Sequence, residues 1–210
     1  MKYLGKPAGM WALFAGSFEK HLTVEFDLTA GQAKDVAARA KKKYREIIAK
    51  LPEFDKRDRF EMNIVNCAML AAFILCMPQR PDIKTLTDYF AAAMMTPTMK
   101  AFCRASGKKK FTPKDIEGMK ATAKLRAGDR NPYSWNMDFF EYEDGSGYEA
   151  RFTTCGICTL MQALGLYDLT PALCHLDYTM SDAGGASDFV REYTLASGGP
   201  YCDCGYHKKQ

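Results

Sequence analysis

The cysteines in the second half of the chain are the residues whose type and spacing could do chemistry. The sequence has eight cysteines, and five of them follow residue 154. Cys155 and Cys158 stand three apart at the start of a predicted helix, which Thr154 is placed to cap. Backbone N–H groups and the helix dipole at that end favour a thiolate. Three uses of the pair are open: nucleophilic or acid–base catalysis at Cys155, a redox pair, and metal binding.

Two further cysteines, Cys202 and Cys204, lie two apart on a predicted strand, so their side chains point to the same face. With Cys155 and Cys158 they could form a four-thiolate zinc site. The CxxC and CxC spacings are less specific for zinc than two CxxC knuckles. The alternative interpretation is that each of these thiols is a small, buried, apolar side chain.

A third group of residues surrounds Asp177. Cys174 and Asp177 lie three apart on a predicted helix and share a face. A carboxylate among apolar neighbours needs a partner or takes a raised pKa, and Arg191 on the next predicted strand is the candidate partner. His175 points away from Asp177, because a two-residue step turns about 200° around a helix. The alternative is an ordinary Asp177–Arg191 salt bridge without a catalytic role.

Helical patterns fill the first 130 residues. Thr29 and Gln32 form a capping box ahead of a long helix that ends at Pro52. Pro97 is expected to kink or split the third helix. The later helices are predicted to begin near Asp58, near Asp82 and at Thr112-Pro113.

The hydrophobic period changes to two after residue 130. Apolar residues alternate with polar ones from Trp135 to Phe139, residues 143–146 predict a turn, and a second strand follows to Phe152. We then predict helices over about 155–164 and 170–184, a strand over 190–196, a turn over 197–200 and a last strand over 201–206.

These elements predict an α+β fold in which a helical N-terminal half packs on a four-stranded antiparallel sheet formed by two hairpins. We expect one domain over residues 1–210. Residues 1–130 would form its helical part, and residues 131–210 its hairpin–helix–helix–hairpin part, which carries the motifs.

Composition excludes several classes of protein. The chain has 29 Lys and Arg against 25 Asp and Glu, a net charge of +4 that is too small to argue for nucleic acid or anionic lipid as a partner. The longest near-apolar run, Cys67 to Met77, is too short to span a bilayer. Lys2 and Lys6 precede a short apolar run that Pro7 and Gly9 interrupt, so we expect a docked segment rather than an export signal. Reduced thiols and a cytoplasmic location follow from that expectation.

The stretch from Thr153 to Tyr206 resembles the family of L-2-amino-thiazoline-4-carboxylic acid hydrolases. The motifs that carry the resemblance are TTCGICTLMQALGL, LTPALCHLDY and REYTLASGGPYCDC. They are similar to the family's Cys-led helix, its LCxxD helix, and an Arg/Thr strand that runs through a glycine turn into Cys-Asp. Cys204 departs from the pattern, because the family commonly has an aromatic residue there. A weaker likeness is to 4-vinyl-reductase-type ligand-binding domains.

The resemblance implies a hydrolase that acts on a non-peptide C–N bond of a cyclic amidine. This enzyme would open a 2-amino-thiazoline-4-carboxylate to a carbamoyl-cysteine. It implies a small-molecule substrate and no cofactor, with zinc on the four cysteines as the alternative. We expect no nucleic-acid or membrane partner and leave homo-oligomer formation open. A non-catalytic ligand-binding or sensory domain is the second functional interpretation. The positions that match the family's marked residues are Cys155, Cys174, Asp177, Arg191, Thr194, Gly198, Cys202 and Asp203.

Roles for these residues follow from the implied reaction. Cys155 would be the nucleophile or base at the reacting carbon, Asp177 would hold or protonate the amidine nitrogens, and Cys202 would line the same pocket. Arg191 would bind the substrate carboxylate. Cys174, Thr194 and Asp203 would complete the substrate-binding set.

Overall fold

The computed structural model describes residues 7–209 of the chain, so Lys2 and Lys6 lie outside the described residues. The helices and strands, in chain order, are α1 (Pro7–Glu25), α2 (Ala30–Ile48), α3 (Glu61–Ile74), α4 (Ile83–Met94), α5 (Pro97–Gly107), α6 (Pro113–Arg126), β1 (Asp138–Glu141), β2 (Gly147–Phe152), α7 (Gly156–Ala163), α8 (Thr170–Cys174), α9 (Leu176–Gly184), β3 (Ser187–Val190) and β4 (Cys202–Lys208).

Local capping signals set the starts of most N-terminal helices. Thr29 and Gln32 form the predicted capping box of α2. The Asp82 carboxylate accepts from the Thr85 N–H at the start of α4, and the Thr112 hydroxyl accepts from the Asp115 N–H at the start of α6. The helix predicted to break at Pro97 is split into α4 and α5. The four predicted helical regions are therefore confirmed.

The centre of the helical half is α3, in which every residue from Cys67 to Ile74 is buried. The segment predicted to dock at the N-terminus is α1, a helix that the sequence analysis did not predict as such. It packs against α2 and α4 and buries one face at four-residue spacing: Met10, Phe14, Phe18 and Leu22.

The four strands form one antiparallel sheet in the order β1-β2-β4-β3, which confirms the predicted α+β class. In its register Ala150 lies opposite Cys204, and Phe189 lies opposite Tyr206. This face packs against α6 and α9 and forms a second, smaller cluster beside the main helical core. The sheet thereby turns the side chain of Cys204 towards α9, which carries Asp177.

Two strand boundaries were predicted wrongly. The first strand begins at Asp138 and not at Trp135, whose carbonyl accepts a hydrogen bond from Arg126 instead of joining the ladder. The strand predicted over residues 190–196 instead covers Ser187–Val190, so the two share only Val190. Beyond it, the Asp203 carboxylate accepts the N–H groups of Glu192 and Tyr193, at 2.8 and 2.6 Å. These side-chain acceptors replace the ladder partners and form a loop.

Candidate functional site

Cys155 is the N-cap residue of α7, with an extended backbone (φ −140°, ψ 113°). The prediction that Thr154 caps this helix is wrong, because the Thr154 hydroxyl is used elsewhere. It accepts from the Asn136 N–H at 2.8 Å and donates to the Asn136 amide oxygen at 3.1 Å. The first turn of α7 is therefore left with a thiol at its N-cap instead of a hydroxyl.

Asn136 holds the chain just before Cys155. Its amide oxygen accepts the N–H groups of Thr153 and Thr154, at 2.9 and 2.8 Å, and its amide nitrogen donates to the Thr153 hydroxyl. These bonds bring residues 133–136 alongside residues 153–156. A Cβ added at Gly156 would collide with the Tyr133 carbonyl, so only glycine permits this approach.

The surroundings of Cys155 favour its thiolate. The Cys158 thiol contributes most to lowering the pKa of Cys155, and burial opposes it. The N–H groups of Ile157 and Cys158 and the Trp135 side chain lower it further, although no cap hydrogen bond of ordinary geometry forms. The same Cys155–Cys158 contact, with burial, raises the pKa of Cys158. Cys155 is therefore the thiol that ionises more easily, and Cys158 keeps its proton.

Three other thiols lie within electrostatic reach of this pair: Cys67 from α3, Cys174 from α8 and Cys202 from β4. Burial is the main cause that raises the pKa of each. The Cys202 sulfur accepts the Leu195 N–H at 3.2 Å. The structure thus brings together five cysteines from four elements. Among these five, Cys155 has a lowered pKa and the other four have raised ones.

Arg191 and Asp177 form an ion pair with a Nη2–Oδ2 distance of 2.6 Å. The same guanidinium donates to the Cys204 sulfur at 2.8 Å and to the Cys174 carbonyl at 3.0 Å. Burial lowers the pKa of Arg191, but Asp177 and Cys204 outweigh it and raise that pKa. The Arg191 side chain is 6% exposed and that of Asp177 is 44% exposed, so the arginine anchors a carboxylate that reaches solvent.

An open cleft of about 220 Å³ lies beside this ion pair and is lined by Arg191 but not by Asp177. Its walls combine the ion-pair region with the loop after β3 and the start of α8, through Pro171, Cys174, His175, Tyr178, Arg191, Glu192, Thr194 and Ser197. Cys155 is not part of the lining. Cys174 connects the two places, since it lines the cleft and lies within electrostatic reach of Cys155.

Other predicted site residues shape the loop between β3 and β4. The Thr194 hydroxyl accepts the Ser197 N–H at 3.0 Å, and Gly198 ends that turn with a positive φ of 82°. The Asp203 carboxylate is occupied by the two N–H groups described above. Of the three, Thr194 lines the cleft.

Among residues 7–209, no group of three or more His, Cys, Asp and Glu side chains is arranged to hold a metal ion. The Cys204 sulfur, which would be a ligand in the zinc alternative, accepts a hydrogen bond from the Arg191 guanidinium at 2.8 Å. No helix in the same range is long and apolar enough to cross a membrane.

Sequence reasoning did not single out three residues beside the site. Trp135 contacts Cys155, and Tyr167 contacts Cys158 while donating to the Leu195 carbonyl at 2.9 Å. Lys110 places its ammonium 3.1 Å from the Tyr206 ring centre, and burial lowers its pKa to about 8 despite the nearby charges of Asp115 and Asp177. Each contact joins residues far apart in sequence, so no local pattern could reveal it.

The fold and site define an α+β protein with a thiol at a helix N-terminus and a small cleft beside an Arg–Asp pair. A family model described as L-2-amino-thiazoline-4-carboxylic acid hydrolase matches residues 62–206, which include all of these site residues. The chain belongs to this family. A comparison with curated proteins and one with solved structures gave no significant match.

Proposed function

We propose that this protein hydrolyses a cyclic thiazoline amidine of the 2-amino-thiazoline-4-carboxylate type to a carbamoyl-cysteine. The observation that carries the proposal is the Cys155 thiol, whose surroundings lower its pKa, within a chain of this hydrolase family. A thiolate is a strong nucleophile toward an electrophilic carbon bonded to sulfur and nitrogen. We place the substrate in the cleft of about 220 Å³, which Cys174 connects to Cys155.

The product determines which bond breaks. A carbamoyl-cysteine keeps both nitrogens on the attacked carbon and carries a free thiol, so the ring carbon–sulfur bond breaks, and not the C–N bond expected from the hydrolase class. In our scheme the Cys155 thiolate adds to the ring carbon, and the ring sulfur leaves and takes a proton. Water then adds to the same carbon and expels the Cys155 thiolate. The sum is one substrate and one water converted to one product.

Asp177 is suited to orient the amidine. Arg191 engages its Oδ2, which leaves Oδ1 as the oxygen to accept N–H bonds from the substrate nitrogens. The Arg191 guanidinium donates four hydrogen bonds to protein groups: the Asp177 carboxylate, the Cys204 sulfur and the carbonyls of Cys174 and Asp203. We therefore assign Arg191 mainly to positioning Asp177, with a supplementary share in binding the substrate carboxylate.

The other candidate residues take supporting places in this scheme. Cys174 and Thr194 line the cleft and would contact the substrate. Cys202 lies within electrostatic reach of Cys155 and would border the reacting carbon. Asp203 holds the loop that carries Arg191 and Thr194, so its contribution to binding is indirect.

A non-catalytic ligand-binding domain is the second candidate, and one observation favours it: the cleft is lined by Arg191 and Thr194 but not by Cys155. Such a domain would bind the thiazoline and leave it intact. The two candidates therefore differ in chemistry at the same cleft.

The test incubates the purified full-length protein with L-2-amino-thiazoline-4-carboxylate and follows carbamoyl-cysteine by mass spectrometry, with ligand binding measured by calorimetry. We expect product to form in many molar equivalents over protein. Binding without product would establish the ligand-binding alternative and refute the hydrolase. Elemental mass spectrometry on the same sample tests the zinc alternative, for which about one zinc per chain with four protected thiols is required.

A further inference from the structure

We propose that Cys155 and Cys158 form a reversible disulfide with low-molecular-weight disulfides, and that this bond withdraws Cys155 from catalysis. The regulatory half of this inference rests on the proposed function. The disulfide itself does not, because it depends only on the arrangement of the two thiols.

The geometry of α7 brings the two sulfurs together. Cys155 is the N-cap and Cys158 is the third helical residue, so one turn separates them. The Thr159 N–H donates to the Cys155 carbonyl at 3.2 Å, which fixes the backbone of that turn. Side chains three apart at a helix start share a face. A disulfide requires Cβ atoms roughly 3.5–4.5 Å apart, so forming it draws the N-cap residue, whose backbone is extended and outside the helix, towards Cys158. Each thiol shifts the pKa of the other, which lowers that of Cys155 and raises that of Cys158.

Neighbouring cysteines are less suited to pair with Cys155. Cys67 is fully buried within α3, where an oxidant has no access. Cys202 directs its sulfur to the Leu195 N–H. The carbonyl of Cys174 is held by Arg191, which ties that residue to the cleft. Cys158 lies one helical turn from Cys155 on the same face and is partly exposed.

The two thiols divide the exchange reaction between them. The Cys155 thiolate attacks one sulfur of a small disulfide and releases the other half as a thiol, which leaves a mixed disulfide on Cys155. Cys158 then loses its proton and attacks the Cys155 sulfur, and the second half leaves as a thiol. Two small thiols are formed and two protein thiols are oxidised, so electrons and protons balance. A dithiol reductant reverses both steps.

The resolving step makes the exchange fast and self-limiting. Because Cys158 lies in the same helical turn as Cys155, the mixed disulfide is resolved within one chain. Serine at residue 158 keeps a hydrogen-bond donor there but cannot resolve the mixed disulfide. That difference gives a readout that a merely structural cysteine would not produce.

The experiment equilibrates the full-length protein with oxidised glutathione, quenches with acid, blocks free thiols and analyses chymotryptic peptides by mass spectrometry. We expect an intrachain Cys155–Cys158 bond in the wild-type chain and in the C76S control, whose altered residue lies outside this cysteine group. C158S should instead accumulate one glutathione on Cys155. A bond from Cys155 to Cys174 or Cys202, or no oxidation of Cys155, would overturn the proposal.

Turnover measured on the same samples separates the two proposals. The fraction of thiazoline hydrolysis lost should equal the fraction of chains oxidised, and dithiothreitol should restore it. Unchanged turnover in fully oxidised protein would overturn the regulatory inference. If the disulfide forms in a protein that hydrolyses no thiazoline, the proposed function fails and the dithiol chemistry stands.

Discussion

Replacing Arg126 with methionine should cause a large loss of stability, because this arginine neutralises a buried carboxylate. The side chains of Arg126 and Asp58 are each 1% exposed, with a Nη1–Oδ2 distance of 3.3 Å. Arg126 also donates to the Trp135 carbonyl at 2.9 Å and to the Ser134 hydroxyl at 2.8 Å. The variant R126M would leave Asp58 buried without its cation.

The magnitude follows from these contacts. Breaking one side of a buried ion pair costs about 3–5 kcal/mol, and the lost bond to the Trp135 carbonyl adds about 1 kcal/mol. For a chain of this length each kcal/mol lowers Tm by roughly 2–4 °C. We therefore expect Tm to decrease by roughly 8–24 °C in calorimetry. Cys155 alkylation should also need a higher pH, since Trp135 contacts that thiol.

The matched control is R57M, which breaks the exposed pair between Arg57 and Asp55 in the same loop. Its Tm should stay within the error of the measurement, because an exposed ion pair contributes little. The double variant D58N/R126M should regain part of the loss, since residue 58 is then neutral; the loss is not fully recovered because Asp129, 21% exposed, still lacks its pairing with Arg126. A decrease in Tm of less than about 2 °C for R126M would refute the reasoning, because a buried unpaired carboxylate should lower the stability by more than that.

Three further changes test other parts of the structure. D177N should reduce the free energy of unfolding by about 1–2 kcal/mol in urea titrations, a value discounted for the 44% exposure of Asp177. It should also slow thiazoline turnover. No change in either measurement would remove Asp177 from the site. Burial lowers the pKa of Lys110 to about 8 in the folded chain, against 10.5 as its ordinary value. The cost of its charge is therefore present below pH 8 and is relieved as pH rises towards 10.5. The stability of K110M relative to wild type should accordingly fall between pH 7.5 and pH 9.5 in urea titrations, and a pH-independent difference would contradict this. G156A should lower the free energy of unfolding by about 1–3 kcal/mol, because the added Cβ collides with the Tyr133 carbonyl. The control G118A, whose added Cβ meets nothing within 4 Å, should not destabilise the protein. Equal unfolding midpoints for the two variants would show that α7 shifts to relieve the collision without loss of stability.

The helical half was predictable because its signals are local. The Thr29–Gln32 box and the Thr112-Pro113 pair each satisfy helix N–H groups from within four residues, so the sequence alone shows where those helices begin. The exception is α1. Its buried stripe is regular, but Pro7 and Gly9 at its start obscured the pattern.

The loop after β3 was not predictable from its own residues. The sequence from Val190 to Ala196 has the apolar and β-branched residues of a strand. What ends the strand is Asp203, which lies on β4 and takes the N–H groups of Glu192 and Tyr193. A long-range acceptor of this kind leaves no trace in the segment that it reshapes.

The candidate site divides in the same way. Helical spacing and the search for a partner placed Asp177 with Arg191, and the structure brings them together. The position of Cys155 at the start of α7 was also predictable from the sequence. The contacts that shift its pKa were not, because Trp135 reaches it through a pairing of residues 133–136 with 153–156 that depends on Asn136.

The measurement that tests the central claim most directly compares thiazoline turnover by C155S with that by wild type and by C76S. Loss of a nucleophile that forms a covalent intermediate should lower kcat by about two orders of magnitude or more, while calorimetric binding of the thiazoline persists and C76S stays at the wild-type rate. Wild-type turnover by C155S would contradict the assignment of Cys155 as the nucleophile.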